Sequence, residues 1–554
     1  MLETKPEDCL GLSCLSCITD CLINLQCVTR WYLQRQDTAV YIKEHSKWSL
    51  QRSKQEPEIH LASFCADMTQ LTTKAKLDLT DICNLLDVTG QLAFAARQPQ
   101  KLGISPTTQQ LLRNLVKLLC KQLWRQRTRL SATQAAEVLR ALSRTGTHPD
   151  TMPGLADALA EQFIADSECH NAYRYIQALY SCAQMGIDPC EGRLPGHILQ
   201  RFPKLSLAKV TPRMLTNMLF SVAAYPAGHH SLAAANTTAL ETKTAHKLCT
   251  RLTRMLKSSE SEDQCTEDDV ASSLRSLTAL KHQPNSNFTA AFCGWYAQLL
   301  KQLQHESPPR SSHRLSIILA ACVDLRLKLP ASFISILTPH LLGASKPHTS
   351  HARAATCANA AWSLAALGIL DYQTPQATLH AHSEGASPWS VSSLSKFYQA
   401  LDWLQPESAE HPNHGRWSAL HDQVAALAAR PDAGDSVPHS MLTALHAVLD
   451  EESIAHSSSV QLGGFRAPVA VTARGKQGHM LIFDFVASTD YFVNVQDRLM
   501  GRAAFRQEML GRHGTLVPLA QDRCQGAFNS SIVYIRERFM EAAADMGPTE
   551  PIGS

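Results

Sequence analysis

The densest chemical signal in the chain is a row of cations. Arg113, Lys117, Lys121, Arg125 and Arg129 fall at every fourth position. Four residues turn an α-helix through roughly 400°, so the row drifts only about 40° per step and makes one slanting ridge. No carboxylate occurs between Lys101 and Arg129, so nothing nearby in the sequence neutralises it. Such a ridge can track the phosphates of a nucleic-acid strand. A solvated helix face would show the same row. A second group, Arg498, Arg502 and Arg506, brackets Gly501. Arg502 and Arg506 are one helical turn apart, a spacing that suits phosphate contact or plain solvation. Phe505 and Met509 fall on another side of the same turn, toward a core.

Cysteine offers a weaker signal. Cys9, Cys14, Cys17, Cys21 and Cys27 crowd a mostly apolar N-terminal run. Cys14 and Cys17 form a CxxC, but no His or second CxxC follows at zinc-site spacing. Metal binding, S-acylation and a plain amphipathic helix all fit, the last best. Asp20, Asn24 and Gln26 argue against a membrane span there. The later cysteines, such as Cys120, Cys182, Cys322 and Cys357, sit in apolar helical surroundings and read as small buried hydrophobes. No cofactor is implied.

The elements that must carry these residues are helical. Aromatics make up only 6% of the 554 residues, and Leu and Ala supply most of the apolar surface. That favours helix packed on helix. The net charge of +3 excludes bulk polyanion binding, so any nucleic-acid surface must come from local clustering. The segment from Asn359 to Leu370 sets the pattern: apolar residues at helical spacing, small Ala361 and Ala365, and a glycine stop at Gly368. Degraded copies run from Ala135 to Gly146, Tyr175 to Gly186, Met214 to Tyr225, Val270 to Lys281, Leu315 to Arg326 and Leu394 to Gln405. Most are followed by a proline: Pro149, Pro189, Pro226, Pro284, Pro330 and Pro406. Residues 229–244 and 259–269 read as inserted loops.

Helix, stop, proline and second helix is the grammar of a helix-pair repeat of about 40 residues. One pair cannot bury its own apolar face, so the fold class expected is mainly α, an α-solenoid with a long concave surface. The copies resemble the octotricopeptide and heptatricopeptide repeats of organellar RNA-binding proteins. Armadillo-like protein-binding arrays would look similar.

Composition shifts near residue 461. Ala467 to Thr472 and Met480 to Val486 read as strands, with Pro468 near the start of the first, where a missing donor does least harm. Residues 474–478 form a turn. A helix follows from Arg502 to Arg512, with Gly514 as its cap. A third strand runs from Thr515 to Leu519, and a last helix from Ser531 to Ala543. Phe483-Asp484, Tyr491 to Asn494, Leu499 to Gly501 with Arg506, and Leu510 to Gly514 with Leu516 and Val517 together resemble the RAP domain, a family that includes the FAST kinase-domain proteins.

The resemblance implies a small α/β fold similar to restriction endonucleases, and RNA binding in mitochondria or plastids, governing transcript processing, stability or translation. Nucleases of that fold need an Asp and a Glu-x-Lys to hold a metal and activate water. Here Asp484 is the only carboxylate on an expected core strand, and no Glu-x-Lys follows, so it is a weak catalytic candidate and no enzyme activity is expected. The N-terminus is acidic and lacks the character of a transit peptide. A cytoplasmic protein or secreted bacterial effector is the alternative location.

The expected organisation is a Cys-rich segment and linker at 1–60, a helical-repeat array at 61–450, and a RAP-like domain at 461–545, with residues 451–460 as a linker. The expected partner is single-stranded RNA, with protein partners on the solenoid as a second use and no stable membrane span. A protein-interaction scaffold and a metal-dependent ribonuclease are the competing functions.

Overall fold

A computed structural model describes positions 62, 65, 66, 68–70, 72, 73, 77–96, 105–146, 154–165, 172–187, 193–225, 234–258, 264–303, 312–330, 350–371, 374–376, 390–405, 414–428, 438–472, 480–495, 498–525 and 527–545. The N-terminal cysteine cluster, the linker expected through residue 60 and the turn expected at 474–478 lie outside them. The chain forms two compact units, Met1–Thr244 and Ala245–Ser554. It is mainly helical with one small C-terminal sheet. Among the described residues no helix is long and apolar enough to cross a membrane.

The first unit holds α1 (Leu79–Ala96), α2 (Pro106–Gln126), α3 (Ala132–Thr145), α4 (Leu155–Ala165), α5 (Ala172–Met185), α6 (Arg193–Arg201) and α7 (Pro212–Ala224). Helix α8 follows at Ala234–Lys257 and takes residues that the sequence assigned to an inserted loop. Local chemistry fixes the starts. Ser131 and Gln134 form a capping box on α3, and Thr211 caps α7 ahead of Pro212. Helices α1, α3, α5 and α7 pack each on the next. The Gln177 amide spans one such contact by donating to the Ala136 carbonyl at 3.2 Å. Helix α1 is thus a further member of the stack, ahead of the copies visible in the sequence.

The second unit repeats the arrangement with α9 (Glu267–Ala279), α10 (Ser286–Leu303), α11 (Ser312–Asp324), α12 (Ser350–Ala366), α13 (Val391–Trp403), α14 (His414–Ala428) and α15 (His439–Glu451). Helix α9 starts inside the acidic stretch that the sequence assigned to a loop, because Thr266 and Asp269 form a capping box. Helices α9, α11, α12, α13 and α14 pack in succession. Trp362 donates to Gln399 and Lys396 donates to Asn359, both at 2.8 Å, joining α12 to α13.

The helix stops are shared as well. Gly146, Gly186, Lys281, Arg326 and Gly368 all take left-handed backbone, with φ between 50° and 76°. After four of them the next amide reaches back five residues: Ile187 to Cys182, His282 to Leu277, Leu327 to Cys322 and Ile369 to Leu364. This satisfies carbonyls that a helix end otherwise leaves open. The ends at Tyr225 and Gln405 lack the left-handed residue.

The sheet has the order β1-β2-β3-β4, with β1 (His456–Leu462), β2 (Phe465–Thr472), β3 (Met480–Val486) and β4 (Thr515–Ala520). The first two pairings are antiparallel, and β3 pairs with β4 in parallel through α16 (Gly501–Gly511). Strand β1 covers residues expected mostly to form a linker; its serines are exposed and carry no apolar alternation. Pro468 lies inside β2 rather than at its start. Opposite it the ladder breaks, and Ser459 takes φ 55° where no proline amide can donate.

A single-turn helix, α17 (Gln521–Cys524), and the longer α18 (Phe528–Asp545) follow. One sheet face buries Val469, Leu481, Phe483 and Val517 against Ile535 and Phe539 of α18 and Leu445 and Val448 of α15. Helix α15, which lies almost wholly inside the span expected for the repeat array, 61–450, therefore belongs to the core of the sheet. Helix α16 is capped at Arg512. Gly514 is not a left-handed cap: a side chain there would overlap the Met480 carbonyl, so it serves close approach of β4 to β3.

Candidate functional site

Two basic surfaces emerge, one in each unit. The first is the ridge on α2. Ser105 caps this helix and Pro106 opens it, while Leu112, Leu115, Leu119 and Leu123 bury its inner face. Arg113, Lys117, Lys121 and Arg125 are exposed on the other side. The α-helix ends at Gln126, so Arg129 stands on a 3-10 turn, Arg127–Arg129, and leaves the regular row. Among the described residues no carboxylate pairs with any of these five cations. In the same unit, Tyr180 of α5 and Phe220 of α7 meet edge to face with ring centroids 5.7 Å apart. Phe220 is 43% exposed, a large area for an aromatic ring.

In the second unit the three C-terminal arginines take different roles. Arg506 meets Asp484 at 2.9 Å and also donates to the Arg466 carbonyl. Asp484 is 3% exposed. Burial pushes its carboxyl above the usual range and the Arg506 guanidinium opposes the shift. Asp484 is thus a buried partner of Arg506. Arg502 meets the buried Asp324 at 2.7 Å across α16 and α11, and lies over the Trp362 ring at 6.0 Å. Both arginines are committed to carboxylates, so their charges hold the fold before they meet any ligand. Phe505 and Met509 are buried, with Phe505 edge-on to Trp362 and Phe465. Gly501 lets α16 approach: a Cβ there would overlap the Val323 carbonyl at the end of α11.

Arg498 goes elsewhere. It lines a pocket of about 990 Å³ together with His246 of α8, His282 and Gln283 of the turn after α9, Asn285 at the start of α10, and Arg326 and Lys328 after α11. The segment from Tyr491 to Asn494 fastens this wall. The Asn494 amide donates to the Gln283 carbonyl at 2.8 Å and its oxygen accepts from the Gln283 amide at 2.7 Å. The Val493 amide donates to the Lys281 carbonyl at 2.9 Å. No lining residue is acidic. Burial and then the neighbouring His246 push the His282 imidazole down to about 4, so it is neutral near pH 7. Burial and the Arg498 guanidinium lower the pKa of Arg326, and Glu508 opposes them.

Of the pocket's cations, spacing in the sequence picks out only Arg498. The others lie in separate stretches joined by folding. One signal was readable: glycine closes the copies at 146, 186 and 368, whereas a cation stands at 281 and 326. Among the described residues no three His, Cys, Asp or Glu side chains converge to hold a metal ion. The described cysteines are free thiols, all buried but Cys357. No family model matches the chain, and no curated protein matches it.

Proposed function

We propose that this chain is an RNA-binding protein that holds single-stranded RNA on a helical-repeat surface and acts post-transcriptionally, on processing, stability or translation. The observation that carries this reading is the row Arg113, Lys117, Lys121 and Arg125, four exposed cations on one helix with no carboxylate partner among the described residues. A solvated face gains nothing from excluding every carboxylate, whereas a phosphate-tracking face does. The succession of packed first helices within each unit supports an α-solenoid, whose surface suits an extended ligand. Exposed Phe220 beside Tyr180 offers bases a stacking platform.

The C-terminal domain, RAP-like in its motifs, serves binding rather than cleavage in this reading, because Asp484 is held by Arg506. Its compartment is a mitochondrion or plastid, by the same resemblance. The test replaces Arg113, Lys117 and Lys121 together by Glu. Retention of a single-stranded oligoribonucleotide should be lost while the circular dichroism spectrum stays unchanged. Unchanged affinity would remove the ridge from the mechanism and favour a protein-binding scaffold.

A further inference from the structure

The pocket in the second unit has three properties that solvation does not explain. First, Arg326, Lys328 and Arg498 converge on it with no acidic lining residue, and among the described residues none of the three has an ion-pair partner. Bringing like charges together costs free energy unless an anion joins them. Second, Arg326 holds a left-handed backbone, φ 50°, at the position where related helix ends use glycine. That strain is retained in exchange for a guanidinium at this spot. Third, His282 stands where three of the other helix ends place Ile or Leu. It is 5% exposed, lines the pocket, and stands edge to face with His246, ring centroids 6.3 Å apart; its ring makes no side-chain hydrogen bond among the described residues. Beside it the Gln283 side-chain oxygen is buried with no hydrogen-bond partner among the described residues, and such an atom in a pocket wall points to a group that arrives from outside. Helix α10 also begins at the pocket, with Asn285 and Ser286 in the lining, and adds the positive end of its dipole.

We infer that this pocket binds one phosphorylated nucleoside unit, its phosphate monoester held by Arg326, Lys328 and Arg498 and its base or sugar paired with His282. Three fixed cations and a helix N-terminus match a dianion better than the single charge of an internal phosphodiester. The cavity is wide enough for a whole nucleotide, falling in the size range of small-molecule sites. Neutral His282 supplies one donor and one acceptor, which suits a base edge or a ribose hydroxyl. The unit can be the phosphorylated end of an RNA or a free mononucleotide. Only the first source rests on the RNA reading above.

The test uses the full chain and one labelled oligoribonucleotide carrying a 5′-phosphate, a 3′-phosphate or hydroxyl ends, with uridine and adenosine monophosphates and inorganic phosphate as separate titrants. One phosphorylated end should bind about tenfold tighter than the hydroxyl ends, as charge-assisted contacts of this kind imply. Arg326→Gly and Arg498→Gln should each erase that preference. Arg326→Gly also relieves the strained backbone, so its thermal midpoint should not fall, which separates loss of binding from loss of fold. The ridge variant should weaken all three RNAs equally and keep the preference. If mononucleotides bind and RNA does not, the pocket stands with a free nucleotide as its ligand and the RNA reading fails. If RNA binds with no end preference and mononucleotides do not bind, the pocket proposal is overturned and the RNA reading survives. Persistence of the preference in both pocket variants, or inorganic phosphate binding as tightly as a nucleotide, would also overturn it.

Discussion

At the scale of single residues, this protein places charge where folding alone would not. Glu241 is buried, and one of its carboxylate oxygens has no hydrogen-bond partner among the described residues. Burial pushes its pKa from 4.5 up to about 7. The folded chain therefore holds this proton more tightly than the unfolded chain does. That stability is complete below about pH 4.5 and is lost as the pH rises through about 7. Glu241→Gln should lose less stability than the parent between pH 5 and pH 8, by roughly 2 kcal/mol in chemical denaturation. An equal pH dependence in the two proteins would show that Glu241 reaches water. Lys281 is the second case. Its φ of 50° suits glycine, and its carbonyl, not its side chain, receives the Val493 amide. Lys281→Gly should therefore stabilise the chain by roughly 0.5–1 kcal/mol. A lower thermal midpoint would mean that the lysine side chain contributes a contact worth more than the strain.

At the scale of elements, the sheet and the late helices of the second unit form one packed body. Helix α16 stands between them. It gives Arg502 to Asp324 of α11, Phe505 to Trp362 of α12, and Arg506 to Asp484 of β3. Gly501 permits that approach, because any side chain would meet the Val323 carbonyl. Gly501→Ala must push α16 away from α11 and should cost several kcal/mol, on the order of the larger overpacking effects. Urea denaturation measures this directly. A variant as stable as the parent would show that α16 can slide without loss. The segment from Tyr491 to Asn494 belongs to the same scale, since Asn494 clasps the backbone of Gln283 in both directions.

At the scale of the whole molecule, the net charge of +3 gives no general attraction for polyanions, so binding must depend on local arrays. Affinity for single-stranded RNA should fall with salt by a logarithmic slope of about 0.7 per phosphate contact. Reversing three ridge cations should lower that slope by about 2, read between roughly 50 and 200 mM salt. A slope that does not change would place the contacts away from α2, and binding insensitive to salt would indicate an apolar partner instead.

Sequence by itself determined the local grammar. The helix stops at Gly146, Gly186 and Gly368, three of the four strands, and the cation row on α2 follow from backbone preferences and spacing that act over a few residues. Strand β1 escaped because its exposed serines carry no alternation, and α8 escaped because its Ala and Thr residues look like a loop. Tertiary structure alone decided which cations are spent and which are free. Arg502 finds Asp324 from 178 residues away, and Arg326 meets Arg498 in a pocket that no local pattern announces. Long-range pairing depends on which faces are buried together, and burial is a property of the packed chain rather than of any window of its residues.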